Sequence, residues 1–568
     1  MSARWFPVPA DYREKGLAAD LQAGLILGIL LIPQAMAYGM LAGVAPVYGL
    51  YAALVPALAY ALLASTPHVN VGPTALASLL CLNSLTGLAE PGTATYLAYA
   101  VVLGALTGVL QLAGGLLRLG VVVSLLSRPV LSGFVSAAAV LITVSQVRVL
   151  LGFSVPPAAY FHEELLGIFQ GFPDLHWPTA LLGLGGLAFL FAAKKWLPSR
   201  FPDTLVLIAL TTLLLATVGQ DWGIATVGEI PAALPPLVVP AVDWAVARQL
   251  LPAALVLALI SFIETVSIGE AFSARHNYYR VRPNRELLAL GLSKVAGGFF
   301  QAVPSSASFS RSAVVEDAGG RGPLSNLVAV ALLLLTLLFF TPAFYHLPVT
   351  VLAAIIVFSV RNLFDVAEMR RLWRLAPKEF LTLLTTFLFT LFAGLLYGIA
   401  GGVVLSLYFV FARAARPHLA ELGRVPGTNA FRNRNRFAAA EIDPAILIVR
   451  FDAELYFGNA EYFRDKLRDL ADQRGAGLRA VVLDGHAIHD IDSSGLHALN
   501  QFMDDLRQRN VELYLCGMIG PVRDMLFKSG LMASLGANHN FLSIQDALNF
   551  IASSEADRGW DLPAVQHD

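Results

Sequence analysis

The sequence predicts a polytopic α-helical membrane protein with a small α/β domain at its C-terminal end. Three observations carry this. Of 568 residues, 56% are hydrophobic and only 14% charged, with mean hydropathy +0.65, whereas soluble domains have roughly a quarter of their residues charged. Long uncharged runs fill the chain as far as about residue 416, and the remainder has a soluble composition. Finally, two short proline-led segments, VGPTALAS from Val71 and VPSSASFS from Val303, sit at corresponding places in two halves of the apolar region.

A full bilayer span needs about 20 apolar residues. Segments of spanning or half-spanning length lie near 21–43, 47–64, 72–88, 95–117, 121–145, 178–193, 203–219, 248–272, 286–302, 306–318, 322–341, 347–361, 379–393 and 394–413. With the N-terminus inside, this count of about fourteen gathers Lys and Arg into alternate loops, among them Lys194 and Lys195, Arg275 to Arg285, and Arg370 to Lys378. Only Arg148 and Arg248 fall on the other side. That asymmetry is the positive-inside pattern, and it places both termini in the cytoplasm of a multi-pass plasma (inner) membrane protein.

The two proline-led segments are the third of the first seven and the third of the second seven. Matching broken helices in halves of odd helix number indicate a seven-plus-seven inverted repeat with a site at the midplane. The expected organisation is a cytoplasmic segment 1–19, a transmembrane domain 20–416 with repeats of about 20–220 and 246–416, a linker 417–443, an α/β domain 444–555 and a tail 556–568. Loops 150–177 and 220–246 carry no recognisable motif. In the last domain, the β-branched run AILIVRF (445–451) reads as a buried strand. Helix, strand AVVLDG, helix, strand ELYLCG and a further helix follow it.

Residues 297–314 interrupt the apolar chain with Pro304, five serines and Arg311. Proline ends a helix, so a new one is expected just after Pro304. The unpaired N–H groups and dipole of a helix start favour an anion. Ser308, Phe309, Ser310 and Arg311 lie in that start. The guanidinium of Arg311 offers a planar fork of donors to an oxyanion, or else a pair for Glu316 or Asp317. Gln34, next to Pro33, is a neutral group that bonds from both sides.

Glu264 lies deep in an apolar segment, where an ionised carboxylate is costly and such acids mark ion or proton pathways. It is expected to take up and release the coupling proton. Two cysteines, Cys81 and Cys516, offer neither a disulfide framework nor a metal cluster, and no GxxxxGK loop is present. The reading is therefore a non-enzyme with no cofactor, no metal, no nucleic-acid partner and no cleavable signal peptide.

At these residues the chain resembles a known family. DLQAGLILGILLIPQAMAYGMLAGVAPVYGLY (Asp20 to Tyr51) is similar to the sulfate-transporter signature of the SulP family, and PNRELLALGLSKVAGGFFQAVPSSASFSRSAV (Pro283 to Val314) to its second long motif. The soluble part resembles a STAS domain. The resemblance implies a fourteen-helix inverted repeat of core and gate, dimeric, moving sulfate, bicarbonate, chloride or dicarboxylates. It implies Gln34, Tyr38 and Thr74 as site positions with Ser310 and Arg311, and Glu264 as the acid of the eighth helix.

Two departures stand out. Ala307 replaces a common glycine, and Glu270 with Lys294 replaces a usual Lys and Asn, so an ion pair between Glu270 and Lys294 is expected. Ser494, in DSSG, matches the phosphorylated serine of STAS antagonists, although a serine there would also serve as a helix N-cap. The function read from the sequence is proton-coupled sulfate uptake by a homodimer in membrane lipid, with a cytoplasmic protein partner possible at the STAS domain. Sodium-coupled bicarbonate symport, dicarboxylate transport, anion exchange, or anion sensing without transport are the alternatives.

Overall fold

The structure is a computed structural model that describes residues 8–9, 11–121, 127–153, 161–197, 202–240, 243–536 and 538–557. The start of the expected N-terminal segment and nearly all of the expected tail lie outside the described residues. The chain divides into two compact units, Met1–Ser406 and Leu407–Asp568.

In the first unit the apolar runs form α1 (Leu17–Leu41), α2 (Pro46–Leu63), α3 (Ala75–Leu85), α4 (Ala94–Leu116), α5 (Arg128–Leu151), α6 (Phe161–Gly171), α7 (Trp177–Trp196) and α8 (Asp203–Thr217). The second half supplies α9 (Trp244–Ser273), α10 (Pro283–Gly298), α11 (Phe309–Asp317), α12 (Leu324–Leu335), α13 (Val349–Val360), α14 (Val366–Leu375), α15 (Pro377–Phe392) and α16 (Leu395–Ala415), whose last residues fall past Ser406. Proline opens α2, α5, α7, α10 and α15 within their first two positions, where its missing N–H has no partner to lose. Thr93 and Asp243 cap α4 and α9 by accepting from Tyr96 N and Ala245 N.

Among the described residues, eight helices are long and apolar enough to cross a membrane. Their outer faces are apolar as well: Leu181, Val404 and Phe411 are 71%, 68% and 65% exposed, as lipid contact requires and water would penalise. Inside, α4 and α10 meet backbone to backbone. A Cβ on Gly291 would lie 2.8 Å from the carbonyl oxygen of Gly108, so small residues set this close approach.

Two helices were not legible as such. The loop expected at 150–177 contains α6, and the basic stretch after α13 folds as α14, with Leu372 buried and Arg370, Arg371 and Arg374 exposed. Neither approaches spanning length, so the hydropathy that revealed the others passed over them.

A larger difference lies after Pro304. The helix expected there begins only at Phe309, because Ser306–Ala307 first forms a strand, β2, antiparallel to β1 (Val71–Gly72). Val71 pairs with Ala307 and Gly72 with Ser306. Prolines at 73 and 304 hold the residues before them extended. Backbone groups buried in a membrane protein need partners, and this short ladder supplies them.

The second unit contains a six-stranded sheet in the order β4-β3-β5-β6-β7-β8. Its strands are β3 (Leu419–Arg424), β4 (Phe431–Asn433), β5 (Ile446–Phe451), β6 (Ala480–Asp484), β7 (Glu512–Cys516) and β8 (Asn540–Phe541). Strands β5 to β8 are parallel, and β3 runs antiparallel to both β4 and β5. The helices are α17 (Ala460–Arg474), α18 (Ser493–Gln508), α19 (Gly520–Lys528), α20 (Leu531–Leu535) and α21 (Ile544–Asp557).

Alternation sorts each strand between two cores. Leu447, Val449 and Phe451 pack with Phe463 and Phe502 on one face, and Ile448, Val482 and Tyr514 pack with Ile551 on the other. The stretch expected as a linker at 417–443 is thus partly sheet. Its polar composition concealed β3 and β4, which pair at the edge.

Candidate functional site

Helices α3 and α11 both begin at the β1–β2 crossing. Thr74 caps α3, its Oγ1 accepting from Ala77 N at 3.3 Å, and Ser308 caps α11, its Oγ accepting from Arg311 N at 3.4 Å. Ser308 N in turn donates to Asn70 O at 3.0 Å. Each cap lies within two residues of the paired strands, so both helix N-termini adjoin one place. Each brings roughly half a positive charge and unpaired N–H groups.

Arg311 adds a full charge there. Its side chain is 1% exposed. Nε donates to Asn70 Oδ1 at 2.6 Å and Nη1 to Pro73 O at 3.0 Å. Asn70 is itself held, by Nδ2 donating to Asn326 Oδ1 at 2.8 Å and by its backbone N donating to Ser312 Oγ at 3.0 Å.

The remaining nitrogen, Arg311 Nη2, is buried without a hydrogen-bond partner, as are Ser78 Oγ and Ser305 Oγ. Leaving a buried donor unpaired costs about 1–3 kcal/mol, more if charged, and a bound anion would remove that cost. The alternative pairing of Arg311 with Glu316 or Asp317 does not form: Glu316 bonds His276 instead.

Gly72 borders the free nitrogen. A Cβ at this position would sit 3.2 Å from Arg311 Nη2 and crowd whatever that nitrogen holds. Gly72→Ala is therefore expected to weaken anion binding by on the order of tenfold while leaving the fold intact. Titration calorimetry and thermal unfolding of the same sample check both halves, and unchanged affinity would place the anion elsewhere.

The other expected residues fall at varied distances from this centre. Gln34 and Tyr38 are buried in α1 at 8% and 6% exposure. Gln34 makes no hydrogen bond to the other expected residues among the described ones. Ser310 is exposed in the first turn of α11, and Phe309, 57% exposed, stacks on Phe272 with ring centres 5.8 Å apart.

Glu264, on α9, touches the crossing itself: its Oε2 accepts from Ser306 Oγ at 2.6 Å. Lys294, 4% exposed on α10, donates to Gln111 Oε1 at 2.8 Å and to Ser261 Oγ at 3.2 Å. The expected Glu270–Lys294 ion pair is absent, and Glu270 is exposed. Ser261 and Glu270 stand nine positions apart on α9, roughly 13 Å along the axis, so a lysine at the level of Ser261 cannot reach Glu270.

In the second unit, Ser494 is the second residue of α18 and not its cap. Asp492 caps that helix, with Oδ1 accepting from Gly495 N at 2.8 Å. Ser494 lines a shallow groove with Phe457, Arg464 and His497.

Sequence reasoning missed Asn70, Ser78 and the partners of Lys294. Ser78 had a signal, since it lies one helical turn beyond Thr74. Asn70 had none, because its role is to orient a side chain far along the chain.

A multi-helix apolar unit with two helix starts beside a buried, partly unpaired arginine, followed in the chain by a separate sheet domain, fits a polytopic membrane transporter for anions. Residues 17–386 match the sulfate permease family and residues 437–547 the STAS domain. The chain belongs to the sulfate permease family, and it is not an enzyme.

It is 35% identical to Sulfate transporter 4.1, chloroplastic, of Arabidopsis thaliana over 557 residues, covering 94% of this chain and 81% of that one. A probable sulfate transporter of Mycobacterium tuberculosis is 33% identical over 551 residues, covering 96% and 98%. Among solved structures, that of SLC26A9 superposes with a TM-score of 0.88 at 26% identity, covering 98% of this chain and 93% of the other.

Proposed function

We propose that this chain is a secondary active transporter that takes up sulfate together with protons. The observation that carries the reading is the buried Nη2 of Arg311, unpaired at the place where two helix N-termini meet. Relatives named as sulfate transporters support the choice of anion. Helices α1–α4 and α9–α12, which form an inverted repeat around the crossing, make the moving core, and the other membrane helices make the gate. Gln34, Tyr38, Thr74, Ser308, Phe309, Ser310 and Arg311 surround the anion, and Glu264 carries the proton.

Lys294 favours protons over sodium as the coupling ion. Its Nζ is held by Gln111 Oε1 and by Ser261 Oγ on the helix that carries Glu264, and a sodium ion at Glu264 would meet the like charge of a protonated lysine in surroundings of low dielectric. In this reading both termini are cytoplasmic, the membrane is the plasma (inner) membrane, and the protein is a homodimer. The STAS domain regulates or docks a protein partner rather than transporting, with Ser494 as its modifiable residue.

The test is uptake of labelled sulfate, bicarbonate, chloride and a dicarboxylate into proteoliposomes, with and without an inward proton gradient and sodium. Sulfate is expected to accumulate with the proton gradient alone. Accumulation that needs sodium and ignores pH would overturn proton coupling. Anion binding without any uptake would make the protein a sensor.

A further inference from the structure

We propose a binding site for a divalent transition-metal ion of the zinc class, formed by His68, His276, Glu316 and the carbonyl of Gly320 at the far end of α11. It is separate from the anion site, and the functional reading above does not bear on it. His68 lies between α2 and β1, His276 between α9 and α10, and Glu316 in the last turn of α11. Their ligand atoms all fall within 4.8 Å of one another.

The spacings suit a small ion. His276 Nε2 is 2.8 Å and His68 Nε2 3.4 Å from Glu316 Oε2, and Gly320 O is 2.9 Å from His68 Nε2. A tetrahedral ion with bonds of about 2.0–2.2 Å holds its ligands roughly 3.3 Å apart. Two imidazoles and a carboxylate are a common donor set for zinc.

The surroundings of His68 point the same way. Three oxygens face its Nε2: Gly320 O at 2.9 Å, Glu316 Oε2 at 3.4 Å and the Tyr278 hydroxyl at 3.4 Å. One N–H can serve only one of them well, whereas a cation in the same place would draw on two. On the ring's other side, Nδ1 lies 3.0 Å from the Tyr279 hydroxyl. With Nε2 on a metal, Nδ1–H would donate to that oxygen and fix the tautomer, the usual outer-shell support of a histidine ligand.

Access exists as well. His68 is 1% exposed, but His276 and Glu316 are 26% and 13% exposed, so one side of the cluster opens outward. The two imidazoles now stack 4.7 Å apart at an interplanar angle of 7°. Metal binding would tilt them until both lone pairs meet at the ion. The ion would then tie two interhelical connections to the helix that carries Arg311.

Cobalt(II) is the probe, because its visible absorption becomes strong when four-coordinate. Full-length protein is purified in detergent, stripped by a chelator, and titrated with Co2+ and then Zn2+, alongside His276→Gln and Glu316→Gln. Both changes are at partly exposed positions, and thermal unfolding without metal checks the fold of each. Wild type is expected to develop the four-coordinate band with one Co2+ per chain, to lose it to Zn2+, and to unfold at a higher temperature with micromolar Zn2+. Each variant is expected to lose the band and to bind Zn2+ at least about tenfold more weakly. Failure of the wild type to bind either ion at micromolar concentration, or equal Zn2+ affinity in folded variants, would overturn the site.

Discussion

Arg311→Ala abolishes measurable sulfate binding, a loss of at least about a hundredfold in affinity. The expectation rests on what the side chain supplies. A hydrogen bond to a charged group contributes about 1.5–3 kcal/mol, and the guanidinium adds its charge in a place where water does not screen it. Neither helix start replaces a full charge, because each carries roughly half of one and shares it with its own cap.

Removing the side chain also leaves Asn70 Oδ1 and Pro73 O without their donor, so the variant is expected to unfold at a lower temperature as well. Arg311→Lys separates the two effects. It keeps the charge but has no planar fork with which to reach Asn70, Pro73 and an anion together, so partial recovery of binding is expected. Titration calorimetry on purified protein measures each, and wild-type affinity in a folded Arg311→Ala variant would remove this residue from the site.

Glu264→Gln stops proton-driven accumulation while sulfate exchange across the membrane continues within a few-fold of the wild-type rate. Glutamine resembles the protonated carboxyl in size and neutrality, and it can still accept from Ser306. What it lacks is the ionised state. In wild type, an ionised Glu264 beside a bound dianion would add repulsion of roughly 4 kcal/mol per unit-charge pair at 4 Å and an effective dielectric of 20. Proton and sulfate therefore favour each other's binding, reciprocally.

With the charge gone, the anion still binds but no longer brings a proton, and the gradient loses its hold on the cycle. The accumulation ratio in proteoliposomes, measured beside the rate of exchange against internal sulfate, distinguishes the outcomes. Accumulation that survives in the variant would assign the proton to another group.

Much of this was legible in the sequence because the bilayer imposes a simple rule: a spanning helix must be long and apolar, and α1, α2, α9 and α16 announce themselves. Pro73 and Pro304 likewise marked the two broken helices, and Arg311 stood out as a charge within apolar flanks. The illegible parts depend on contacts between distant segments. Nothing local in Ser306–Ala307 says strand, since two residues hold that form only because Val71 and Gly72 lie opposite. Lys294 seemed matched to Glu270 because the two depart together from the family pattern, but depth along α9 decided its partners. In the second unit, β3 and β4 read as linker because β4 is a three-residue edge strand and β3 fully buries only the side chains of Ala420 and Leu422.

The crossing of β1 and β2 has a consequence for how the molecule is made. Val71 leaves the ribosome long before Ala307, and until the later strand arrives the earlier one has no ladder partner. Peptide groups left open in that state are unwelcome in lipid, so the first half of the chain waits in the membrane with its central break unsealed. A chain that stops before residue 306 keeps this defect permanently. Release from the insertion machinery, and escape from the proteases that patrol the bilayer, would thus report on the arrival of the second half, and with it on the completion of the place where the anion binds.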